Sequence, residues 1–222
     1  MGYGLPDQQW QPRRLAILLC ETTTSLTQAK TDISIRMSSL IPSQLRSNRR
    51  RLQQDLALVQ SQGKTQGITL EPIPDTDLQK WTATIDFRGP EFAGSPYEGG
   101  VFEFTLNMSG TEKPYPLRGP EIFCNTKIYN PHVDQKTGEV GFSMLSEDQW
   151  SPILTLFTTM LSLLVALGEP EPGYEVDGVL MLEYISDPDV FWEKAREWTR
   201  KYAVPGNTDT THSSTSQAEA HV

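Results

Sequence analysis

Ser95-Pro96-Tyr97-Glu98-Gly99-Gly100-Val101-Phe102-Glu103-Phe104-Thr105-Leu106-Asn107-Met108 passes from a cluster of turn formers into strict alternation of apolar and polar side chains. Pro and Gly punctuate the chain, and the period of two at Phe102, Phe104, Leu106 and Met108 is that of a strand with one buried face. Upstream, Gly89-Pro90 closes a second such run, Trp81 to Phe87, in which Trp81, Ala83, Ile85 and Phe87 alternate. Further strands are expected at Ile68 to Ile73 and at about Glu121 to Thr126. Each is bounded by Pro, Gly or Asp clusters, which predicts an antiparallel meander with one face on a core.

Helical periodicity flanks these strands. After Pro42, Ser43 is placed to cap a helix carrying Leu45, Leu52, Leu56 and Val59 on one face, with Gly63 at its end. Residues 127–150 hold turn formers and no clear period, and so read as a long loop of the kind that carries an active site. Ser151 as N-cap and Pro152 at the first helical position predict an apolar helix closed by Gly168. Helices over Val179 to Ile185 and Pro188 to Tyr202 follow. The order of one helix, four strands, long loop and three helices is an α+β sandwich.

The 222 residues, 37% hydrophobic, suffice for one domain with a core. Residues 1–42 form a polar N-terminal extension, read as partly flexible or docking on something else; 43–203 form the domain, and 204–222 a tail expected to be disordered. A net charge of -9 opposes non-specific nucleic-acid binding. The basic run Arg46 to Arg51 reads as a solvated helix face. Cys20 and Cys124 are the only cysteines, so a disulfide framework is not implied and a reducing compartment, cytoplasmic or nuclear, is expected. Cys124 follows Ile122-Phe123 in a strand and reads as a small buried apolar residue. The apolar run Leu15 to Cys20 is too short for a signal-peptide core with a cleavage site, and Ile153 to Leu167 falls short of the ~20 residues that span a bilayer. Gly2 lacks the Ser or Thr at position 6 of a myristoylation signal, since Pro6 stands there. His132 has no His or Cys partner at ligand spacing, with His212 and His221 in the tail, so neither a metal nor a cofactor is expected.

Tyr129-Asn130-Pro131-His132-Val133, then Gly138-Glu139-Val140-Gly141-Phe142-Ser143-Met144-Leu145 and Trp150-Ser151-Pro152, resemble the active-site stretch of the ubiquitin-conjugating enzymes. Gly89-Pro90 with Ser95 to Phe102 resembles that family's G-P-x-x-T-P-Y-E-G-G-x-F turn, with one extra residue. Tyr115-Pro116-Leu117-Arg118-Gly119-Pro120 resembles Y-P-F-K-P-P, and Arg196 to Ala203 resembles the closing helix. The matches keep their order and cover about residues 45 to 202, which implies the ubiquitin-conjugating fold.

The departures gather at the chemistry. The family's thioester-forming Cys lies four residues before the Leu that matches Leu145, and that position is Gly141, which has no side chain to act as nucleophile. The family's His-Pro-Asn, whose Asn is held to stabilise an oxyanion, is matched by Asn130-Pro131-His132. Ser143 is the nearest hydroxyl and lacks a base to activate it. The surface by which ubiquitin ligases grip the family maps here to the first helix with Arg51, to the Leu117 loop, and to Pro152-Ile153.

The resemblance therefore implies a non-catalytic variant that acts by protein–protein binding, as adaptor or partner in ubiquitin signalling. Its partners would be an active conjugating enzyme, ubiquitin or a ubiquitin ligase. Two alternatives stand beside it: a structural subunit of a large assembly, motivated by the N-terminal extension, and an active conjugating enzyme seen with its Cys replaced by Gly.

Overall fold

A computed structural model of the protein describes residues 41–62, 67–109 and 113–205. The first helix, α1, runs Ile41–Gln62. Ser43 therefore lies inside the helix rather than capping it, and Gly63 lies outside the described residues, as do Gly2, Cys20, His212, His221 and nearly all of the expected extension and tail. Leu52 and Val59 are buried and Leu56 is half-buried, as expected of the apolar face, while the side chain of Leu45 lies outside the described residues.

Strands β1 (Ile68–Pro72), β2 (Lys80–Asp86), β3 (Val101–Asn107) and β4 (Glu121–Cys124) form one antiparallel sheet in chain order, a meander. Its register stacks the alternating apolar positions: Ile68 opposite Ile85, Ile85 opposite Phe102, Ala83 opposite Phe104, Trp81 opposite Leu106, and Leu106 opposite Ile122. All of these side chains are buried, as expected of a sheet with one face on a core. β4 ends at Cys124, two residues earlier than its propensity predicts. Beyond it, the amide of Asn125 donates to Glu103 O (2.8 Å) and the amide of Glu103 donates to the Thr126 hydroxyl (3.0 Å), so a side chain replaces the ladder.

Helix α2 (Leu156–Gly168) packs against β1 and α1, and none of its residues is fully exposed. It starts at Leu156 with Thr155 as N-cap, whose Oγ1 accepts from the Thr158 amide (3.0 Å). The expected start at Ser151-Pro152 is thus corrected. The reason lies across the fold: the Arg51 guanidinium takes the carbonyls of Pro152 (2.6 Å), Ile153 (3.4 Å) and Leu154 (2.6 Å), which a helix would need for its own first turn.

Helices α3 (Gly178–Ser186) and α4 (Pro188–Trp198) pack on each other, with Asp177 and Asp187 as N-caps. The expected helix to Tyr202 changes character at Thr199, where a π-turn covers Thr199–Ala203. Thr199 Oγ1 donates to Ala195 O (2.8 Å), competing at the carbonyl the backbone ladder would use. An aromatic cluster of Phe87, Phe92, Tyr97 and Phe102, with ring centroids 4.8–5.7 Å apart, fills the end of the core beneath the 95–100 turn. Among the described residues no helix is long and apolar enough to cross a membrane.

Candidate functional site

The segment expected to be a long loop, 127–150, is one, and it is closely packed. Ile128, Tyr129, Val133, Val140 and Phe142 are buried, and isolated bridges pair Val133 with Val140 and Phe123 with Glu139. Asp134 folds the tip by accepting from the amides of Lys136 (2.9 Å) and Thr137 (2.7 Å), and these bonds hold its carboxyl below the usual range.

Asn130 is wholly buried and uses its amide as structure. Its Nδ2 donates to the Tyr97 hydroxyl (2.8 Å) and to Leu167 O (2.9 Å), and its Oδ1 accepts from the His132 amide (2.9 Å). It thus binds the aromatic cluster, the end of α2 and the loop to one another. Both Nδ2 hydrogens are engaged by protein acceptors, so in this arrangement Asn130 holds the site and has no donor left for an oxyanion.

His132 is buried as well. Its Nδ1 stands 2.8 Å from Gly141 O, and its Nε2 accepts from the Glu171 amide at 3.0 Å. A backbone amide donates only, so Nε2 is the bare nitrogen and Nδ1 carries the proton toward Gly141 O. Burial holds the imidazole pKa below its ordinary value, which favours this neutral form. The ring bridges position 141 to the segment after α2.

That segment covers the site. The amides of Val176 and Asp177 both donate to Pro131 O (3.0 Å each), and a Cβ placed on Gly141 would stand 2.6 Å from Val176 Cγ1. Gly141 itself is half-buried, its amide donating to His132 O (3.0 Å). Beside it lies an open cleft of about 240 Å³, bordered by Arg118, Glu121, Glu139, Phe142, Leu145 and Tyr174. Ser143 begins a short 3₁₀ turn, Ser143–Leu145, in which its carbonyl is engaged by Ser146. Cys124, the one cysteine among the described residues, is buried on β4 with its thiol pushed up to about 12 by burial.

The second set of expected residues converges on a single surface. Pro152 and Ile153 are exposed, Ile153 at 43%, and Leu117 is half-buried on the neighbouring loop. Trp150 joins the two loops by donating from Nε1 to Pro116 O (2.8 Å). Arg51 reaches this surface from beneath. Besides the three carbonyls of 152–154, it pairs with Asp55 (3.2 Å), whose carboxylate also accepts the Tyr115 hydroxyl (2.5 Å). Asp55 is buried at 2% exposure; desolvation raises its pKa against the opposing pull of Tyr115 and Arg51. Arg51 therefore positions the surface instead of presenting a free charge on it. Sequence reasoning missed Asp55, although a carboxylate between Leu52 and Leu56 on an apolar helix face is a readable signal of a buried partner.

The family model for ubiquitin-conjugating enzymes matches residues 51–199, from Arg51 through α4. The chain belongs to the ubiquitin-conjugating enzyme family. It is 38% identical over 161 residues to ubiquitin-conjugating enzyme E2 1 of Schizosaccharomyces pombe, covering 72% of this chain and 70% of that protein. With ubiquitin-conjugating enzyme E2 27 of Arabidopsis thaliana it shares 35% identity over 153 residues, 69% of this chain and 75% of the relative. The fold superposes on the E2 domain of a ubiquitin conjugating enzyme from Toxoplasma gondii with a TM-score of 0.57 and 30% identity, covering 70% of this chain and 98% of that one. The sheet, the loop and the closing helices described above are the family's architecture in this chain.

Proposed function

We propose that the protein is a non-catalytic member of its family, acting by binding other proteins as an adaptor or partner in ubiquitin signalling. The observation that carries this reading is Gly141. It stands in the loop at the position matched to the thioester-forming Cys, and the chain offers no nucleophile there. The surroundings support it. Asn130 is spent on three internal hydrogen bonds, the His132 nitrogens both face backbone, and Val176 lies over the site. Meanwhile the Leu117 and Pro152-Ile153 surface is intact and braced by Arg51, which supports retained docking of a ligase, an active conjugating enzyme or ubiquitin.

The test is direct. Incubated with activating enzyme, ATP and ubiquitin, the wild-type chain should yield neither a reductant-sensitive adduct nor an oxyester on a non-reducing gel. An adduct lost on adding thiol reductant would sink the reading. Binding is measured separately, by recovery of ligase, conjugating enzyme or ubiquitin on the immobilised chain.

A further inference from the structure

All but one of the large apolar side chains exposed among the described residues fall within a short stretch, Val176 to Val190; the exception is Ile153. On α3, Val179, Leu182 and Ile185 are 75%, 66% and 55% exposed, while Leu180 and Met181 on the opposite side are buried. The spacing i, i+3, i+6 places the three on one helical stripe. The α3–α4 unit already has its core in Leu180, Met181, Phe191 and Ala195, so the stripe contributes nothing to the fold. An apolar surface of this kind marks an interaction site.

The stripe is also set in negative charge. From Glu171 to Glu193 every charged residue is a carboxylate, including Glu175 and Asp177 on either side of Val176, Glu183 beside Leu182, and Asp189 beside Val190. Glu183 is taken up by Lys194 (2.7 Å) and the Tyr129 hydroxyl (3.0 Å), and Asp177 and Asp187 cap helices but keep their charge, so the balance of the segment from Glu171 to Lys194 stays strongly negative. A complementary occupant is short, apolar and basic.

We propose that Arg13-Arg14-Leu15-Ala16-Ile17-Leu18-Leu19 of this same chain docks on α3, its aliphatic side chains on Val179, Leu182 and Ile185 and its guanidinium groups on the flanking carboxylates. The segment joins two adjacent arginines to an unbroken aliphatic run, which is the chemistry the stripe lacks. Residues 20–40 link it to Ile41, and an extended linker of that length spans up to about 70 Å. A domain of this size is only about 40 Å across, so every face is within reach. The tether supplies a local concentration on the order of millimolar, so a contact too weak to hold a free peptide suffices in cis. A second copy of the chain is a poorer occupant. The stripe is three side chains on one nine-residue helix, too small a patch for the ~800 Å² per partner typical of stable complexes, and a self-pair brings two acidic rims together.

Cys20 adjoins the segment, and Cys124 is buried with a raised thiol pKa, so Cys20 is the site that alkylates. The full-length protein is labelled at Cys20 with benzophenone-maleimide, irradiated at low micromolar concentration, and digested for mass spectrometry. Intrachain cross-links from Cys20 to residues 176–190 are expected. Leu182→Glu and, separately, Arg13→Glu/Arg14→Glu should each lower their yield about tenfold, as loss of ~1.4 kcal/mol does, with unchanged circular dichroism. Cross-links confined to other parts of the domain, or none, would overturn the proposal, as would a yield indifferent to both variants. Interchain products that grow with protein concentration would assign the stripe to a second copy instead.

Discussion

The methyl group Cγ1 of Val176 lies where a side chain on Gly141 would have to go: an added Cβ there meets it at 2.6 Å. Val176 is held in place by its amide bond to Pro131 O, and the neighbouring Asp177 amide bonds the same carbonyl. A thiol restored at position 141 thus arrives against a side-chain methyl of the turn that follows α2, while the nearest backbone atom, Tyr174 O, stands at an ordinary 3.6 Å.

Gly141→Cys alone should therefore load ubiquitin poorly, and Gly141→Cys/Val176→Ala better, because removing two methyl groups gives the thiol room. Both variants should discharge to lysine slowly, since Asn130 and His132 have no free donor for the developing oxyanion. Non-reducing gels report loading, and single-turnover discharge to free lysine reports transfer. Family-like discharge from the single variant would refute the argument.

Arg51→Ala should destabilise the domain by about 2 to 4 kcal/mol, because it strips the cation from buried Asp55 and the donors from three carbonyls. Urea melts measure the loss. Its size should shrink as pH falls, because Asp55, whose pKa burial raises, then takes up a proton and needs no counter-charge. A deficit independent of pH would show that the lost carbonyl bonds, and not Asp55, set the cost.

His132 makes stability pH-dependent in the opposite sense. Its folded-state pKa is lowered, so below the unfolded value of about 6.5 the unfolded chain binds the proton that the folded one refuses. The contribution is complete above that value and declines as pH drops, by at most about 1.4 kcal/mol per pH unit. His132→Gln should flatten the stability profile between pH 7.5 and 5.5 in chemical denaturation. An unchanged slope would mean the imidazole titrates alike in both states.

Leu117→Ala and Ile153→Glu should each weaken capture of a ubiquitin-signalling partner by about tenfold or more, the scale of losing ~1.4 kcal/mol at an apolar anchor. Ile153 is 43% exposed, so its replacement should leave the melting temperature within a few degrees. Pull-downs paired with thermal melts make the comparison. Full recovery of partner with both variants would remove this surface from consideration.

The four strands and the Leu52–Leu56–Val59 face of α1 were readable because apolar periodicity is local: Trp81 to Phe87 and Val101 to Met108 announce their own orientation, whereas Val190, expected on the apolar face of α4, is exposed. The beginning of α2 was not. Ser151-Pro152 is a sound local start signal, overruled by a guanidinium a hundred positions upstream, and tertiary competition for carbonyls leaves no local trace. The same holds at the site. Gly141, Asn130 and His132 stood out one by one from the family resemblance, but Val176 and the Glu171 amide reach them from beyond α2, across a sequence gap that no spacing rule bridges. Asp55 is the opposite case, a signal present on the helix face and passed over.

The grip of Arg51 on residues 152–154, shared through Asp55 with Tyr115, turns two loops and a helix into one mechanical part. Pieces clamped by a common side chain do not vary independently, so substitutions at Leu117 and Ile153 should combine non-additively while Arg51 is present and approach additivity without it. For the docking surface proposed above, that means its evolution is coordinated: a change that suits a new partner on one loop alters the setting of the other. Specificity would then shift in steps, by replacement of the clamp or its carboxylate, more readily than by gradual adjustment of either loop.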